Sequence, residues 1–136
     1  MTRPSASPVD LSSGTGNSDR PRVFIIDDDR SLLNLLRVIF QDAEFSVQTY
    51  LDARIALEDV HKSVPDAIIL DLEMPAMNGR EFYRAVREAG IKTPILLLSA
   101  YGARAAQIEL GANAYVDKPF EPDQLIEATR KLFHDV

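Results

Sequence analysis

Val23-Phe24-Ile25-Ile26-Asp27-Asp28-Asp29 runs four apolar residues straight into three acids. A continuous apolar run this short suits a strand covered on both faces, as in a parallel sheet. Two further stretches have the same character: Ala67-Ile68-Ile69-Leu70, which ends in Asp71, and Ile95-Leu96-Leu97-Leu98, which ends in Ser99. Phe45-Ser46-Val47-Gln48-Thr49 alternates in the manner of an edge strand, and Ala114-Tyr115-Val116 is a short fifth.

Helical patterns separate these strands. Leu32, Leu33, Leu35, Leu36, Ile39 and Phe40 form a wide apolar stripe, with Ser31 as the candidate N-cap. Residues 52–62 fit a helix opened by Asp52, and 80–89 one stopped by Gly90. Residues 103–110 fit a short helix stopped by Gly111. Glu121 to His134 fit a last one, with Pro122 in its first turn and Leu125, Ile126 and Leu132 inward. Strands alternating with helices imply βαβ units and a doubly wound α/β fold, helices covering both faces of a five-stranded parallel sheet. For such a chain the expected strand order is 2-1-3-4-5, with ligands beyond the carboxyl ends of strands one and three.

That topology brings Asp27, Asp28, Asp71, Ser99 and Lys118 to one rim. Carboxylates crowded at low dielectric must either hold protons or hold a cation. A hard, oxygen-seeking ion such as Mg²⁺ suits two or three of them. Zn²⁺ is disfavoured: there is no cysteine, and His61 and His134 are expected on helices away from the rim. Asp29, just before a helix, reads as a cap.

Composition narrows the function classes. The 136 residues are enough for one domain, with 46% hydrophobic and 26% charged residues and a formal charge of -6. In residues 1–20, Arg3 and Arg20 balance Asp10 and Asp19, so the acidity belongs to residues 21–136. It argues against direct nucleic-acid binding, which needs a basic face. The first twenty residues, rich in Ser, Pro, Gly and Thr, are expected to form a disordered tail ahead of a single domain over 21–136. No apolar run is long enough to cross a bilayer and no secretory signal opens the chain, so a cytoplasmic protein with no membrane association is the simplest expectation.

Four segments carry a resemblance: Ile25-Ile26-Asp27-Asp28-Asp29, Leu70-Asp71-Leu72-Glu73-Met74-Pro75-Ala76-Met77-Asn78-Gly79, Leu98-Ser99-Ala100, and Gly111-Ala112-Asn113-Ala114-Tyr115-Val116-Asp117-Lys118-Pro119-Phe120. In this order they resemble the receiver domains of two-component response regulators, over about residues 21–134. The resemblance implies a flavodoxin-like fold and a regulatory phosphoacceptor, not a turnover enzyme. Asp71 would accept the phosphoryl group from a sensor histidine kinase or a histidine phosphotransfer protein. Mg²⁺ would be held by Asp28, by Asp27 largely through water, by Asp71 and by the backbone carbonyl of Glu73. Ser99 and Lys118 would hold the phosphoryl oxygens, and a Lys118–Pro119 cis bond would aim the lysine. Ser99 and Tyr115 would be the switch residues. They would act on the face of helix four, strand five and helix five, toward a downstream protein partner or a phosphorylation-dependent homodimer.

The chain departs from the pattern in one place. Ser99 to Lys118 spans 19 positions, about three fewer than the resemblance implies, which is nearly one helical turn. The shortening falls before Gly111, so helix four is expected to be short, anchored mainly by Ile108 and Leu110, with residues 101–108 mobile. A stand-alone switch and a receiver belonging to a longer regulator are both open at this point. A small aspartyl-nucleophile phosphatase is disfavoured because no cap domain is evident and 136 residues leave little room for a substrate pocket. A flavin module is disfavoured because no hydroxyl-rich loop follows strand one.

Overall fold

The computed structural model describes residues 20–74 and 77–134. The expected tail falls almost wholly on residues 1–19, which lie outside the described residues, as do Pro75 and Ala76 of the Asp71 segment. Five strands and five helices alternate: β1 (Arg22–Ile26), α1 (Arg30–Asp42), β2 (Ser46–Tyr50), α2 (Ala53–Lys62), β3 (Ala67–Asp71), α3 (Gly79–Glu88), β4 (Ile95–Ser99), α4 (Ala103–Leu110), β5 (Ala114–Asp117) and α5 (Pro122–His134). All pairings are parallel and the strand order is β2-β1-β3-β4-β5, the order that the alternation implies.

Each inner strand feeds two cores, because successive side chains point to opposite faces. Phe24, Ile26, Ile68, Leu70, Ile95 and Leu97 pack with Val60 of α2, Phe82 and Val86 of α3 and Ala106 of α4. Val23, Ile25, Ala67, Ile69, Leu96 and Leu98 pack with Leu33, Leu36 and Phe40 of α1 and Leu125 and Leu132 of α5. β2 has one buried residue, Tyr50, as an edge strand should.

The caps correct one expectation. The N-cap of α1 is Asp29, whose side chain accepts from Leu32 N–H; Ser31 lies inside the helix. Asp52 caps α2, and Asn78 with Glu81 forms a capping box on α3. Gly79, the first residue of α3, sits where a Cβ would lie 2.6 Å from the Asp71 carbonyl oxygen and 2.7 Å from Leu72 Cα. Only glycine lets α3 start so close to the end of β3.

α4 also differs from expectation. It buries Ala103 and Ala106, with Leu110 partly buried against the core, while Ile108 is 71% exposed. Residues 103, 106 and 110 share one side of the helix, and position 108 lies on the other. Ile108 therefore does not anchor it.

Candidate functional site

The register of the sheet assembles the rim. Ile26 pairs with Leu70, which sets Asp27 beside Asp71, one residue beyond each. Asp71 itself pairs with Leu98, and Ser99 pairs with Asp117, the residue before Lys118. The backbone locks the edges in place: Asp27 N–H donates to the Tyr50 carbonyl at 3.0 Å, and Lys118 N–H to the Ser99 carbonyl at 2.9 Å.

Asp27 and Asp71 are buried, at 0% and 1% exposure, and Asp28 is exposed. The three carboxylates offer oxygens that all lie within 4.8 Å of one another. Lys118 answers part of that charge: its Nζ donates to Asp27 Oδ2 at 2.9 Å and stands 3.5 Å from Asp71 Oδ2. Asp27 Oδ1 accepts Asp29 N–H at 2.9 Å, and Asp71 Oδ1 accepts Glu73 N–H at 3.1 Å. The Lys118–Pro119 bond is cis.

The electrostatics follow from this burial. Desolvation, and then the charge of Asp27, push the Asp71 carboxyl up to about 7; Lys118 and the Glu73 N–H pull the other way. Burial alone would lower the Lys118 ammonium, but the hydrogen bond and charge of Asp27, with Asp71 behind it, leave it above its ordinary value. One lysine therefore does not neutralise the cluster, and a divalent cation would lower the repulsion between the acids. Three convergent oxygens and no nitrogen or sulfur ligand suit Mg²⁺ in kind.

The structure thus brings together Asp27, Asp28, Asp71 and Lys118 as the sequence led us to expect, with Ser99, fully buried, on the neighbouring strand end. Tyr115 stands apart from the rim, partly buried on β5 and packed against the core that α4 covers. His61 lies in α2 and His134 ends α5; among the described residues the cluster consists of Asp27, Asp28 and Asp71. Two groups were missed. Glu73 was expected only to lend its backbone carbonyl, but its side chain accepts from Ser99 Oγ at 2.5 Å and from Ala100 N–H at 3.0 Å. The Ala100 N–H is the second; a main-chain donor leaves no mark in side-chain chemistry.

A doubly wound α/β domain with buried acids and a lysine at its topological switch point belongs to the class that handles charged ligands at the strand ends. The description "response regulator receiver domain" matches residues 23–130, and the chain belongs to that family. It is 36% identical over 114 residues to the response regulator MprA of Mycolicibacterium vanbaalenii, covering 82% of this chain and 49% of that protein. It is 31% identical over 112 residues to the transcriptional regulatory protein DltR of Streptococcus agalactiae, covering 80% and 50%. The chain therefore spans about half the length of these curated relatives. Among solved structures, the chemotaxis protein CheY4 of Vibrio cholerae matches with a TM-score of 0.76 and 33% identity, over 83% of this chain and 98% of that one. The BeF3-activated DrrB receiver domain matches with a TM-score of 0.74 and 25% identity, over 85% and 98%. The family is regulatory and works with histidine kinases. Among the described residues no helix is long and apolar enough to cross a membrane.

Proposed function

We propose that the domain over 21–136 accepts a phosphoryl group on Asp71 from a phosphohistidine of a sensor histidine kinase or histidine phosphotransfer protein. The observation that carries this reading is Lys118 Nζ set between the buried carboxylates of Asp27 and Asp71. A carboxylate oxygen of Asp71 attacks phosphorus as the phosphorus–nitrogen bond to the donor imidazole breaks, and the nitrogen keeps the bonding pair. Lys118 then pairs with a phosphoryl oxygen, and Ser99 Oγ donates to another. Asp27, Asp28, Asp71 and the Glu73 carbonyl would hold Mg²⁺, which supplies charge neutralisation when bound.

The output is a change in the face built from α4, β5 and α5, with Ser99 and Tyr115 as switch residues, read by a downstream protein partner or a second phosphorylated copy. The acidic charge of -6 supports a protein partner over nucleic acid for this domain, and a cytoplasmic setting fits a histidine kinase donor. Acetyl phosphate with Mg²⁺ tests the assignment: intact-mass measurement should find one phosphoryl adduct on the wild type and none on Asp71→Asn. Equal labelling of both proteins refutes it.

A further inference from the structure

Glu73 reaches across the rim. Its N–H donates to Asp71 Oδ1, while its side chain reaches to the end of β4. There Oε2 accepts from Ser99 Oγ and Oε1 from Ala100 N–H at 3.0 Å, so one carboxylate spans both donors. Ser99 Oγ carries a single proton. The Tyr101 carbonyl is also within reach at 2.9 Å, but the carboxylate is both nearer and charged, and takes it. Tyr101 N–H in turn donates to Ser99 Oγ at 3.0 Å, which ties residues 99–101 to Glu73.

An aspartyl phosphate presents the same kind of ligand: negative oxygens, carrying a charge of about −2. It would need the donors that Glu73 already holds, and two anions cannot share them. We propose that the Glu73 carboxylate is an intramolecular competitor for the phosphoryl oxygens, occupying Ser99 Oγ and Ala100 N–H until a phosphoryl group on Asp71 displaces it. This rests on Asp71 being the phosphoacceptor. Lys118 stands outside the competition, since it is held by Asp27 and Asp71. In the unphosphorylated protein the loop after β4 is therefore already drawn to the rim by a weaker ligand. Phosphorylation exchanges one anion for another there and releases Glu73 to solvent.

Beryllofluoride with Mg²⁺, titrated by calorimetry into wild type, Glu73→Ala, Glu73→Asp and Asp71→Asn, separates competition from mere charge repulsion. Glu73→Asp keeps the charge but is one methylene too short to span both donors. Competition predicts that Ala and Asp both bind about tenfold tighter than wild type, the loss of one charge-assisted hydrogen-bonded contact. An Asp variant that binds like wild type overturns it, as does an Ala variant that does. Before any ligand is added, the Ala100 amide resonance should move in both Glu73 variants; an unmoved resonance also overturns the proposal. Binding that persists in Asp71→Asn, or fails in wild type and Glu73→Ala alike, overturns the phosphoacceptor reading and the competitor with it.

Discussion

The two flanks of Asp71 are built by opposite rules. Among the carboxylates, Asp27 is fully buried, Lys118 bridges it to Asp71, and main-chain hydrogen bonds fix both strand ends. Toward α4, Ser99 leads through an exposed Tyr101 into an eight-residue helix whose buried residues are two alanines. No side chain caps that helix, because its N-cap is Gly102 at φ 73°. The first flank suits chemistry, which needs charges held in place before the reaction. The second suits signalling, which draws on elements of low local stability. α3 sharpens the contrast: it has a capping box and buries Phe82, Tyr83 and Val86.

Breaking the fixed flank should have the largest effect. Lys118→Ala leaves two buried carboxylates without their partner, and without metal at pH 8 it should destabilise the domain by roughly 2–3 kcal/mol, below the cost for a fully buried pair because the lysine is partly exposed. Urea denaturation checks this, and added Mg²⁺ should recover most of the loss. A variant as stable as wild type would remove the electrostatic account of that flank.

The next effect is on pH. The Asp71 carboxyl sits near 7 when folded and near 3.8 when unfolded, so between these values the folded state binds more protons. The Asp71 contribution to stability without metal should be fullest below about pH 4 and be lost as pH rises to about 7. Mg²⁺ should flatten that fall, and Asp71→Asn should abolish its Asp71 component. Thermal melts at a series of pH values measure it; stability rising from pH 5 to 8 without metal would contradict the sign.

The α4 flank should respond least. Gly102→Ala places a Cβ in open space but on a left-handed backbone, for a cost of about 1 kcal/mol. Ile108→Ala should change stability by no more than about 0.5 kcal/mol, because that side chain already faces solvent. A loss of 2 kcal/mol or more at Ile108, the scale of a core truncation, would show that the helix is packed by another face.

The same contrast governs what the sequence made legible. Asp27, Asp71 and Ser99 could be read because each ends an apolar strand, and strand order then dictates which ends are neighbours. Lys118 entered through the motif around it, since a lone lysine has no periodicity. Ile108 misled because hydrophobicity suggested burial, whereas the spacing of 103, 106 and 110 decides which side faces the sheet. Asp29 is the cap, as its place just before the helix suggested; Ser31 misled because a hydroxyl beside an apolar stripe also has the chemistry of a cap. The reach of the Glu73 side chain was not legible, since it depends on how far residue 73 stands from the end of β4 in space.

Amide hydrogen exchange with and without beryllofluoride and Mg²⁺ tests the division between flanks most directly. The account predicts that residues 103–110 exchange fast in the unphosphorylated domain and slow when the mimic is bound, while β1 and β3 stay protected throughout. Asp71→Asn should show no such change. Strong protection of residues 103–110 without the mimic, unaltered by its addition, would contradict it.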